Sequence, residues 1–130
     1  METQKWLNEY FNWLQQGYSV QSLAANDEII TPVTNTIGDK IVLYVTELKK
    51  GTLELTDDGE TIDNLKLSDF TLTPPRLQRI NEIVQSVKVE MTPNKELRIT
   101  GSPKKFPEMI QNLIQAILYV DFYSWLRSSR

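Results

Sequence analysis

Apolar positions recur every three to four residues in three stretches and alternate in several others. In the first, Trp6, Leu7, Tyr10, Phe11 and Leu14 fall on one stripe, which predicts an amphipathic helix over Thr3–Gln16. Thr3 is placed to cap it and Gly17 to stop it; the expectation for its aromatics is core packing, with a partner-binding face the alternative, and Trp13, beside the stripe, is expected to be partly exposed. Short β-branched segments follow at Tyr18–Leu23 and Glu28–Val33, joined by a turn at Ala24-Ala25-Asn26-Asp27. Pro32 is expected at a strand edge or end, because it has no N–H to give to a ladder. Asp39–Glu47 carries apolar residues on both faces, the mark of a central strand. Lys49-Lys50-Gly51 turns the chain into Thr52–Thr56, with Leu53 and Leu55 inward and Glu54 outward.

Asp57-Asp58-Gly59-Glu60-Thr61 ends that meander. Asp58 or Thr61 is then expected to cap a short helix through Ile62, Leu65 and Leu67. Pro74-Pro75 opens a second clear helix, striped by Leu77, Ile80, Ile83, Val84 and Val87. Lys88–Thr92 and Glu96–Thr100 alternate around Pro93-Asn94-Lys95 and read as a second hairpin. From about Pro107 to Arg127 runs the widest apolar face, Ile110, Leu113, Ile114, Ile117, Leu118 and Val120, with Trp125 near its end. Arg127 and Arg130 suit the negative end of that helix. The order predicts a single α+β domain over residues 1–130. An antiparallel sheet, made of a meander and a second hairpin, packs against an N-terminal, a middle and a long C-terminal helix.

Composition narrows the chemistry sharply. The 130 residues include no cysteine and no histidine. Disulfides, zinc–thiolate sites, cysteine nucleophiles and histidine acid–base catalysis are therefore excluded together. No apolar run is long enough for a membrane span, and no signal peptide is visible, so the expected location is cytoplasmic. Phosphate-cradling glycine loops and nucleophile elbows are absent.

Charge is unevenly distributed. Residues 1–65 hold eleven acids and four bases, and residues 66–130 hold six acids and ten bases. The densest part is Glu54, Asp57, Asp58, Glu60 and Asp63, five carboxylates within ten positions and no base among them. These five are the candidate partner-binding residues. The ordinary role of Asp57 and Asp58 in such a place is turn formation and helix capping; the functional alternative is an acidic face that steers a basic partner. Their spacing does not match a calcium loop, so no metal and no cofactor are expected. Asp39 with Glu47-Leu48-Lys49 has the residue types of a metal-dependent nuclease. On one strand, however, Asp39 and Glu47 would stand about 26 Å apart at ~3.3 Å per residue. Lys104-Lys105, ahead of the last helix, is a small basic spot.

One set of segments carries a family resemblance. Thr31-Pro32, Gly38-Asp39 leading into Ile41-Val42-Leu43-Tyr44-Val45, and Leu55-Thr56-Asp57-Asp58-Gly59-Glu60-Thr61-Ile62 with Asn64-Leu65 form its first half. Phe106-Pro107 and Asn112-Leu113-Ile114-Gln115-Ala116-Ile117 form the second. Over roughly residues 28–120 the chain resembles a small domain family of unknown function found in phages, prophages and bacteria. The resemblance brings no reaction or catalytic residue. It implies a phage or prophage accessory protein acting by protein–protein binding, an anti-CRISPR or other anti-defence inhibitor being its sharpest form. The partner implied is a host protein, in particular a nucleic-acid-binding effector, reached in the host cytoplasm. Neither nucleic acid nor membrane is expected as a direct partner. A metal-dependent nuclease-like enzyme and a self-associating module, in which opposite charge faces or Trp6, Trp13 and Trp125 meet in a homodimer, are the alternatives.

Overall fold

The computed structural model describes residues 1–128. Helix α1 (Thr3–Gly17) leads into four strands, β1 (Ser19–Ser22), β2 (Asp27–Thr34), β3 (Lys40–Lys49) and β4 (Thr52–Thr56). Two helices follow, α2 (Glu60–Leu67) and α3 (Pro74–Gln85), then the hairpin β5 (Glu90–Met91) and β6 (Leu97–Gly101). A turn of 3-10 helix, Pro103–Lys105, opens α4 (Phe106–Ser128). The six strands form one antiparallel sheet in the order β1-β2-β3-β4-β6-β5. The α+β class and the meander-plus-hairpin plan are as the sequence pattern predicts. The expected charge of Arg130 at the last helix end lies outside the described residues.

The core sits between one sheet face and α2, α3 and α4. Ile29, Ile41, Leu43, Leu55, Leu97 and Ile99 point inward from the strands. Met109, Leu113, Ala116, Ile117 and Val120 of α4 meet them, with Ile62 and Leu65 of α2 and Ile80 and Val84 of α3 closing the sides. Two prolines open α3, and Thr73 caps it by accepting a hydrogen bond from the Arg76 N–H. The opposite sheet face has no helical cover over most of its area. Arg98 bridges it, pairing with Glu90 at 2.6 Å and Glu54 at 3.4 Å.

Three local expectations are corrected by packing. Pro32 lies inside β2, an interior strand, rather than at an edge or end. The ladder accommodates it by a bulge: Ile30 pairs with Val42 and Thr34 with Lys40, so Thr31, Pro32 and Val33 face Ile41 alone. β1 pairs no further along β2 than Ile30, so no strand asks Pro32 for an N–H. The fully buried Thr31 hydroxyl replaces the missing ladder bonds. It donates to the Ile41 carbonyl at 2.8 Å and accepts from the Val33 N–H at 3.2 Å.

Gly17 ends α1 without a left-handed φ. Its requirement is closeness: a Cβ there would stand 2.6 Å from Cβ of Pro32. Thr3 lies inside the first turn, after Glu2, and no side chain caps the helix start.

The largest correction concerns α1 itself. It buries no residue, and Trp6, Leu7, Tyr10 and Phe11 are between 42% and 53% exposed; Trp13, expected to be partly exposed, is 63% exposed. Trp125 is also exposed rather than in the core. Periodicity reports that a face wants cover and is silent on what covers it; here α1 meets β2 at its end, where Gly17 stands against Pro32, and Leu14 is half-buried.

Thr31→Val keeps shape and volume but strands the Ile41 carbonyl and the Val33 N–H. It is expected to lower unfolding free energy by about 1–3 kcal/mol in urea denaturation, whereas a loss below 0.5 kcal/mol would remove the hydroxyl from this account.

Candidate functional site

The acidic run lies where β4 hands over to α2, and the turn is built around one buried carboxylate. Asp57 is only 1% exposed. Its Oδ1 accepts N–H bonds from Gly59 and Leu97, each at 2.9 Å, and its Oδ2 accepts from Thr61 at 3.0 Å. Its own N–H donates to the Leu97 carbonyl. One side chain thus satisfies the first turn of α2 and the start of β6. The expected cap from Asp58 or Thr61 is replaced by this arrangement: Gly59 is the N-cap residue, at φ 80°, and no side chain at the cap position bonds the helix. Asp58 also takes a left-handed φ of 58°, and its N–H donates to the Thr56 hydroxyl, which donates to Glu96.

The five candidate residues therefore do not form one exposed face. Asp57 is sealed beneath the turn and offers no charge to a partner. Glu54 is largely buried on the open sheet face and neutralised by Arg98. Asp58, Glu60 and Asp63 are exposed. The antiparallel register of β3 and β4, with Tyr44 opposite Thr56, brings Asp39 and Glu28 to the same end of the sheet. The Asn35 side chain accepts from the N–H groups of Ile37 and Asp39, and so sets the loop that presents Asp39. That loop is pinned to α4, where Asp121 accepts from both the N–H and hydroxyl of Thr36.

This proximity shifts the pKa values of the groups gathered there. Partial burial first, then the negative charges of Asp57, Asp39, Asp58 and Asp63, raise the Glu60 pKa above its ordinary value. The Tyr44 hydroxyl is raised by burial and by Glu28, Glu60 and Asp58. Burial raises Asp57, while its hydrogen bonds to Thr61, Gly59 and Leu97 pull the other way. Among the described residues, no ion pair within 4 Å involves Asp39, Asp58, Glu60 or Asp63.

Among the described residues, no group of three or more acids is placed to hold a metal ion. Asp39 and Glu47 are held apart by the continuous strand β3, so the nuclease-like pair is not assembled. The cavity beside Asp57, Glu60 and Asn64 measures about 20 Å³, room for roughly one water. No helix among the described residues is long and apolar enough to cross a membrane. Asp39 and Glu28 escaped sequence reasoning because their membership depends on strand register; extending the hairpin pairing back from Lys49-Lys50-Gly51 was the signal that could have found Asp39.

Fold and site together define a small antiparallel-sheet α+β domain with a carboxylate-lined sheet end. The chain belongs to the family described as domain of unknown function DUF1828, whose profile matches residues 31–120. No curated protein and no solved structure matches it.

Asp57 is where the site can be tested as structure. Asp57→Asn keeps one oxygen for Gly59 and Leu97 but turns an NH₂ toward the Thr61 N–H, so about 1–3 kcal/mol of stability should be lost. The wild-type margin has a definite pH slope. A folded pKa above the unfolded one means the native state holds the extra proton, so that contribution is full below the ordinary carboxylate pKa and is lost as pH rises through the raised value. Urea titrations of both proteins from about pH 4 to about pH 7 should show the margin over Asp57→Asn narrowing with rising pH; a widening margin would reverse the sign assigned to the buried carboxyl.

Proposed function

We propose that this protein is a binding module whose acidic sheet end captures a basic surface on another protein. The observation that carries this reading is the group Asp39, Asp58, Glu60 and Asp63, solvent-facing, close enough that the charges of the other three help raise the Glu60 pKa, and without an ion-pair partner among the described residues. Like charges gathered at one end of a sheet add nothing to folding stability; they do attract and orient cations. A nucleic-acid channel is such a surface, because it binds through neutralisation of phosphates. With a formal net charge of −3, imitation of a polyanion is local to this end rather than spread over the molecule.

The sharpest form of the proposal is a phage- or prophage-encoded inhibitor of a host nucleic-acid-handling enzyme, an anti-CRISPR or other anti-defence protein. The host context comes from the family resemblance; the chemistry comes from the carboxylates. Neither catalysis nor a cofactor enters it.

The test pairs the full chain with a variant carrying Asp39→Asn, Asp58→Asn, Glu60→Gln and Asp63→Asn. All four positions are exposed, so the variant should keep the fold. Immobilised wild type should retain basic nucleic-acid-binding proteins from bacterial lysate and release them as salt rises from about 0.05 to about 0.5 M, where the screening length shrinks below ~5 Å. Added duplex DNA should release the same proteins. The neutralised variant should retain at most a tenth as much. Equal retention by both proteins, or retention indifferent to DNA, would remove the acidic end from the function.

A further inference from the structure

Two features at the start of the chain are uncovered, and they are contiguous. α1 presents Trp6, Leu7, Tyr10, Phe11 and Trp13 to solvent. Tyr18 then leads directly into β1, the outermost strand, whose four residues are all exposed, Val20 at 66%.

α1 has little of its own to hold it. No side chain caps its start, its first turn has no acid and its last turn has no base. It has 15 residues, and a helix of that length is marginal in water unless its apolar face is buried. The exposed side chains of α1 and Val20 together offer roughly 500 Å² of apolar surface, taking aromatic side chains at about 150–250 Å² each and about half exposed. This is the apolar share of a standard interface, which removes about 800 Å² from each partner.

β1 identifies the occupant. The two edges of the sheet are treated differently. β5 is two residues long, lies beside Lys88 and Pro93, and carries the Glu90–Arg98 pair, the usual defences against edge pairing. β1 is Ser-Val-Gln-Ser, with no charge and no proline. From Thr3 to Ser22 the only charged residues are Lys5 and Glu9, so the segment is neutral and two copies of it do not repel. An antiparallel edge is complementary to itself under a two-fold rotation. The Leu23 N–H bonds inward to Asn26, so by alternation the N–H and C=O groups of Val20 and Ser22 point outward. All four pair at once when the axis passes beside Gln21, joining Val20 to Ser22 of the other copy and Ser22 to its Val20.

We propose that the protein forms a two-fold dimer by pairing β1 with β1 of a second copy, α1 of each copy burying its aromatic face in the same interface. The sheet becomes continuous across the dimer. This is independent of the acidic end, which lies on other elements.

Sedimentation velocity on the full chain from about 1 to about 200 µM should show a species of twice the chain mass, since interfaces of this size hold at micromolar concentrations or tighter. Trp6→Glu with Phe11→Glu should raise the dimer dissociation constant by at least about a hundredfold, as should Val20→Lys, which places a charge opposite Ser22 of the other copy and two like charges diagonal to each other on one face of the pairing. All three positions are exposed, and circular dichroism checks that each variant is folded. The chain has no cysteine, so Gln21→Cys reports geometry directly: across the axis the two Cα atoms stand about 4.5 Å apart, within disulfide reach. Mild oxidation should link it, and should leave a Glu90→Cys control at the other sheet edge unlinked. A monomer at every concentration overturns the proposal, including a monomer whose α1 instead captures a different protein. A dimer indifferent to both sets of variants, or one linked through Glu90→Cys and not Gln21→Cys, overturns it equally.

Discussion

An almost wholly buried carboxylate, Asp57, holds the junction on which the rest of the molecule is arranged. Asp57 takes N–H groups from α2 and from β6, two elements separated by about forty residues of chain. Burying a charged group is unfavourable unless its hydrogen bonds are made, and burial does raise its pKa. The three N–H bonds offset that penalty and bring geometric specificity. They fix where α2 starts and align β6 on β4, so Leu55, Leu97 and Ile62 meet in the core. Asp58 and Glu60 stand outward because Asp57 between β4 and Gly59 stands inward.

The sequence revealed this junction as a turn and missed its polarity. Asp-Asp-Gly signals a chain reversal whichever aspartate is buried, and choosing between them needs β6, which follows forty residues later. The strands and α2, α3 and α4 were legible because each has a period set by its own burial: two for Leu53 and Leu55, between three and four for Ile80, Ile83 and Val84. The same period misled for α1, since a stripe records a need for cover and says nothing of its source. Pro32 was misplaced for a related reason. The rule that proline avoids interior strands assumes a regular ladder, and the Thr31 hydroxyl had already replaced the bonds that the bulge removes.

Charge was legible in amount and not in position. Five carboxylates within ten positions looked like one face, but strand alternation sends Glu54 to the open sheet face with Arg98 and the turn takes Asp57 inside. What remains is enlarged by Asp39 and Glu28, acids from other elements brought in by pairing. An acidic surface built from the loop before β3, β2 and the β4–α2 turn is a property of the folded sheet, so unfolding disperses it.

The family match divides these features. Residues 31–120 contain the Asp57 junction, the whole of β3, β4, α2, α3, β5 and β6, and four of the five acids at the sheet end. The aromatic face of α1 and the uncharged edge of β1 lie before residue 31. Removing α1 and β1 would take away no core residue, since neither contributes one to the buried cluster. The buried cluster thus lies outside the segment that carries the most apolar exposed surface, although β1 still pairs with β2 and Tyr18 packs against the core. Selection for stability gives no reason to keep three half-exposed or more exposed aromatics within four positions, Tyr10, Phe11 and Trp13, on a helix that stabilises nothing beneath it. An interface does give one, because only a surface buried elsewhere recovers the free energy of exposing them.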